Sequence, residues 1–176
     1  MAKAWKVEGL RPDQPLTESA RLIIAAKFRE AFSFREEVRL GQDIEAIHNM
    51  RVSLRRLWAA MTGFSNCFDY SPEFKLLIGR TRKLARRLGA VRDLDVLLEI
   101  LRGRAAEPGI SEAKIAALNH LIESCLIRRD KQHVKLMRHF QKLDERQFEA
   151  EFLRFFEGAE SEGNADLSIA NSSVGN

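Results

Sequence analysis

The stretch Ile47-His48-Asn49-Met50-Arg51-Val52-Ser53-Leu54-Arg55-Arg56-Leu57 has two faces when wound as a helix. Met50, Leu54, Leu57 and, one turn on, Met61 fall on one side. His48, Arg51 and Arg55, spaced three and four residues apart, stack along the other. The apolar side needs a core to face, while the opposite side carries a histidine and a ladder of guanidinium groups. The stretch therefore predicts an amphipathic helix of a packed helical protein, with one cationic flank.

A second stretch, from Arg80 to Asp93, repeats the theme with Arg82, Lys83, Arg86, Arg87 and Arg92. Arg51 to Arg92 holds ten Lys and Arg against two acids, Asp69 and Glu73, so the segment carries +8 while the whole chain carries only +4. Clustered positive charge points to an anionic partner far more strongly than the pI of about 9.3 does alone.

Helix boundaries follow from local chemistry. Residues 1–16, with Pro12 and Pro15, read as an irregular leader, and Thr17 or a neighbour as the cap of a first helix running to Gly41. Asp43 caps the helix that carries the opening stretch to about Phe64. Ser71-Pro72-Glu73 is the clearest start: a cap, a proline at the first helical position and an acid at the positive end. Gly89 is expected to end that third helix, and Arg92-Asp93 to open a fourth ending at Gly103. After a turn at Glu107-Pro108-Gly109, Ser111 caps a fifth helix to Phe140, with Ile115, Leu118, Ile122 and Leu126 as its stripe. Asp144 begins a sixth, in which Phe148, Phe152, Phe155 and Phe156 share a side. Residues 158–176 hold no Lys or Arg and read as a disordered polar and acidic tail. No segment alternates with period two, so no sheet is expected. The fold class is all-α: an antiparallel bundle of about six helices with a four-helix core, spanning residues 17–157.

At 176 residues, 45% hydrophobic and 31% charged, the chain fits one ordinary globular domain. Cys67 and Cys125 form no disulfide framework. The opening residues hold no signal-peptide run and no apolar run spans a membrane, so a cytoplasmic location and no membrane partner are expected.

Arg51, Arg55 and Arg56, with Arg82 and Arg86 on the next helix, form the main constellation. Antiparallel packing of the two helices would bring their arginine rows to one groove. Guanidinium forks bind phosphate oxygens bidentately. At about 7 Å each pair of them repels by roughly 2 kcal/mol, which a polyanion in the groove would relieve. The competing reading is a solvated face whose arginines pair with neighbouring acids, and the scarcity of acids in this segment weighs against it. His48, one turn before Arg51, is placed to donate to a phosphate oxygen. Glu45 and His48, or Asp130 and His133, have the spacing of a bundle metal site, but the arginines beside His48 oppose a divalent ion, so no metal and no cofactor is expected. Arg92 is within reach of the groove; Asp93 and Asp95 read as structural. Arg128, Arg129, Lys131, Lys135 and Arg138 read as a solvated face, and Trp58 and the late phenylalanines as core. No catalytic triad or phosphate-cradling glycine loop is present.

The run His48 to Leu57 and the run Leu84 to Val96, in this order, resemble the two hallmark motifs of the CHAD family, the conserved histidine α-helical domain. The resemblance covers about Glu18 to Glu157. It implies an all-helical fold that binds inorganic polyphosphate without catalysis, along a basic groove or pore, with association with polyphosphate granules. Matching positions are His48, Arg51, Arg55 and Arg56 from the first motif, and Arg82, Arg86 and Arg92 from the second. Family members carry two related four-helix halves. This chain matches one half plus connecting helices, so the resemblance implies an open groove, a pore completed in a homodimer, or a degraded pore. Two alternatives share the charge: a nucleic-acid-binding helical domain, with Asn49 as a base-reading amide, and a phosphate-acting enzyme using His48 with Glu45 as its orienting carboxylate.

Overall fold

The computed structural model describes residues 4–41, 43–69 and 71–158, and every regular element among them is helical. The order is α1 (Leu16–Phe32), α2 (Arg35–Leu40), α3 (Ile44–Gly63), a 3-10 turn (Ser65–Phe68), α4 (Pro72–Ala105), α5 (Glu112–Glu145) and α6 (Phe148–Glu157). α3 packs between α1 and α4, α5 packs along α4, and α6 closes the bundle against α1 and α5. No helix among the described residues is long and apolar enough to cross a membrane.

The core is built from the expected stripes. Met50, Leu54, Leu57 and Met61 of α3 are fully buried against Ile24 and Phe28 of α1 and Leu84, Leu88 and Val91 of α4. Phe148, Phe152 and Phe156 present one buried face of α6. Phe152 stacks on Phe28 with ring centroids 3.9 Å apart. Burying rings of this size stabilises by about 1.5–3 kcal/mol each, enough to hold a ten-residue helix that could not persist alone.

Several caps form as their residues dictate. The Asp43 carboxylate accepts the Glu45 N–H, and the Ser71 hydroxyl accepts the Phe74 N–H ahead of Pro72. Gly41 closes α2 in the left-handed region (φ 69°), and a Cβ there would lie 2.7 Å from the His133 ring. Only glycine satisfies both conditions.

Five boundaries differ from expectation. α1 begins at Leu16 with Pro15 in the cap position, so Thr17 already lies in the first turn. The first helix is also broken: the Ser33 hydroxyl bonds back to the Glu30 carbonyl, and α2 restarts at Arg35. Gly89 does not end a helix. It lies inside the 34-residue α4, and Arg92 and Asp93 stand mid-helix. An interior glycine costs only about 1 kcal/mol, and here Leu84, Leu88, Val91 and Leu98 are buried on either side of it. α5 runs past Phe140 to Glu145, and Ser111 holds its cap position without a side-chain cap bond. Asp144 does not open α6, because its carboxylate is engaged by Arg35 and Arg39 of α2; Gln147, at φ 49°, occupies the cap position instead.

The far part of the α4–α5 hairpin carries a buried ion pair. Arg129 Nε donates to Asp95 Oδ1 at 2.6 Å, with the Asp95 side chain fully buried. Asp95 thus joins the hairpin instead of decorating a helix start, and Arg129 leaves the basic run with which it was grouped. The expected tail falls outside the described residues apart from Gly158.

Candidate functional site

Antiparallel packing of α3 and α4 produces one groove of about 520 Å³. α3 contributes Arg51, Leu54, Arg55 and Trp58 at steps of three, one and three residues; α4 contributes Arg82, Ala85, Arg86, Gly89, Ala90 and Asp93. Apart from Leu54, whose buried side chain underlies the groove, these are the flanks of two helices whose opposite sides are buried, so burial of the leucines and Met50 fixes where the guanidinium groups point. Small residues on α4 form the floor: the position a Cβ would take at Gly89 lies 3.5 Å from Arg51 Nε. Gly89 thus shapes the trough by its lack of a side chain.

Charge distinguishes this groove. Among the described residues no carboxylate lies within ion-pair distance of Arg51, Arg55, Arg82 or Arg86, although Asp93 stands at the rim. Several arginines on other faces are matched. Arg35 meets Asp144 and Glu149, Arg80 meets Glu151, and Arg29 meets Glu157.

Three residues of the expected set, His48, Arg92 and Arg56, lie outside the groove's lining, and Arg56 is engaged elsewhere. Its guanidinium turns to α1 and donates to Glu30 Oε1 at 2.9 Å, away from the groove. Glu30 is 1% exposed and also accepts from Ser53, Lys27 and the Trp5 N–H. Burial pushes its carboxyl up, but the Lys27 hydrogen bond, the Trp5 N–H, the Lys27 charge and the Ser53 hydroxyl outweigh it and hold the pKa below its ordinary value. Arg56 and Lys27 both ion-pair with this buried acid. His48 and Arg92 are half-buried and do not line the groove.

Trp58 is not core: it is 42% exposed and lines the groove. Its spacing carried the signal, since Trp58 lies three residues after Arg55 and seven after Arg51. Among the described residues no three His, Cys, Asp or Glu side chains come together to hold a metal ion. A larger cavity of about 790 Å³ lies between residues 5–8, α1 and α6, but Glu18 and Glu157 share its lining with Arg21 and Arg29, so its field is mixed.

No curated protein and no solved structure matches the chain. The CHAD domain model matches residues 22–173, which takes in all six helices apart from the first turns of α1 and includes both arginine rows of the groove. The chain therefore belongs to the CHAD domain family.

Proposed function

We propose that the α3–α4 groove binds inorganic polyphosphate and that the protein is a binding module without turnover. The observation that carries this reading is the convergence of Arg51, Arg55, Arg82 and Arg86, none with a carboxylate partner among the described residues, on one trough. Family membership supports it. A phosphate chain laid along the trough would take bidentate contacts from guanidinium forks and relieve their mutual repulsion. Binding would release counterions, so affinity should fall steeply as salt rises. His48 and Arg92 serve, in this reading, as contacts beyond the groove's lining; Arg56, held by Glu30, takes no part. The trough is open on one side, and a second copy of the chain would cover the ligand's exposed edge. A cytoplasmic protein of this kind would gather at polyphosphate granules.

Exposed Trp58 favours one other reading. An indole beside a row of arginines is also a stacking platform for single-stranded nucleic acid. Competition at fixed salt separates the two. Long-chain polyphosphate should displace a labelled single strand far better than orthophosphate or duplex DNA does. Equal or tighter binding of either nucleic acid would overturn the polyphosphate reading, and phosphate release on incubation would overturn the absence of turnover. Light scattering with and without polyphosphate reads the dimer: mass should double on binding, and an unchanged monomer mass would contradict a completed pore.

A further inference from the structure

We propose that the anion track does not end in the α3–α4 groove but crosses α4 into a second basic cleft lined by Lys83, Arg86 and Arg87, where a further stretch of the same polyphosphate chain lies with Lys142 and Arg146 of α5 adding positive charge beside it. The inference rests on the polyphosphate reading above and extends it to residues outside both sequence motifs' matched positions.

The geometry is continuous. A cleft of about 230 Å³ is lined by Lys83, Arg86, Arg87 and Ala90. Arg86 and Ala90 also line the groove, so the two concavities share a wall on α4. Lys83, Arg87 and Ala90 are spaced four and three residues apart and follow one side of that helix. On α5, His139, Lys142 and Arg146 are likewise three and four apart, and Lys83, Arg87, Lys142 and Arg146 all act on the His139 ring. As in the groove, none of the four has a carboxylate within ion-pair distance among the described residues, whereas Arg80 and Arg129 of the same hairpin each have one.

The buried ring of His139 feels the charge of all four cations. The residue is 9% exposed, and its Nε2 is buried without a hydrogen-bond partner. Burial first, and then the positive charge of Lys83, Arg87, Lys142 and Arg146, pull its pKa down to about 4. A single small anion would neutralise one part of this surface. A chain with a charge on every repeat, already seated on Arg86, would neutralise it along its length.

The test uses the full chain, its Lys83→Ala/Lys142→Ala variant, and long-chain polyphosphate. Both lysines are exposed, so the variant should keep the wild-type melting temperature. Affinity is measured across a salt series, and the His139 ring is titrated by NMR with and without ligand. The expected results are severalfold weaker binding by the variant, a salt dependence shallower by about two ions, and an upward move of the wild-type His139 pKa on binding. Wild-type binding with an unmoved His139 and an unchanged variant would overturn the second cleft and leave the groove standing. No binding by the wild-type chain would overturn both.

Discussion

The α2–α6 end of the molecule and the α3–α4 groove use the same residue type for opposite purposes. At the first, Arg35 and Arg39 converge on Asp144, and Arg35 reaches Glu149 as well. The guanidinium groups there join helices. In the groove, Arg51, Arg55, Arg82 and Arg86 converge on each other and on no carboxylate among the described residues. Their repulsion is a cost to the fold that a ligand would offset. On the proposed reading, the paired arginines of the first region serve stability and the unpaired ones of the groove serve binding. The two kinds of variant should separate along those lines.

The largest effect on stability belongs to the buried pair. Asp95→Ala leaves the Arg129 guanidinium, only 12% exposed, without its counter-charge. A loss of about 3–5 kcal/mol is expected on urea unfolding, with polyphosphate affinity little changed in the folded protein. A loss below about 1 kcal/mol would mean that the hairpin does not depend on this contact.

Acid should expose two groups in different windows. His139 has a folded pKa near 4 against an ordinary 6.5. Between those values the unfolded chain binds a proton that the folded chain refuses, so stability is full above 6.5 and falls as pH drops through about 4. Glu30 is held below its ordinary 4.5. Its contribution is full above 4.5 and is lost as pH falls through the lower folded value. His139→Leu should flatten the upper window, worth on the order of 3 kcal/mol, and leave the lower one. A pH profile that His139→Leu does not alter would show that the ring is not held neutral by burial and its cationic neighbours.

Two glycines give the smallest effects and opposite signs. Gly41→Ala puts a Cβ 2.7 Å from His133 at a left-handed backbone position and should destabilise by more than about 1 kcal/mol. Gly89→Ala meets Arg51 at an ordinary 3.5 Å inside a helix and should stabilise by about 0.5–1 kcal/mol. Thermal unfolding of the two variants checks both signs, and a destabilised Gly89→Ala would mean that Arg51 cannot yield.

Much of this architecture was legible in the sequence. Helical periodicity, the Asp43 and Ser71 caps, Gly41 and the aromatic face of α6 are local signals, and the structure carries them out. The arginines of the groove were legible because spacings of four place Arg51 with Arg55 and Arg82 with Arg86 on one flank each. What failed depended on tertiary partners. Gly89 reads as a stop only if nothing packs along the helix beyond it, and α5 does. Arg56 follows Arg55 directly in the same motif, and only the buried Glu30, 26 residues away, assigns it to the fold. Trp58 lay on the groove's face by spacing, but its hydrophobicity suggested core. The cluster around His139 joins residues from two helices more than fifty positions apart, and no single stretch of sequence announces it.

The most direct test compares two charge reversals side by side. Arg51→Glu/Arg55→Glu reverses two groove arginines, and Arg29→Glu/Arg39→Glu reverses two that are paired with Glu157 and Asp144. Both change the net charge equally, so bulk electrostatics cannot distinguish them. Polyphosphate affinity and melting temperature are measured for each. The groove reversal should lose at least about 100-fold in affinity, from two charge-assisted contacts worth roughly 1.5–3 kcal/mol apiece, and keep its melting temperature. The paired reversal should melt lower and bind within a few fold of the wild type. Equal losses of affinity in both would show that net charge, and not the groove, holds the polyanion, and would contradict the account.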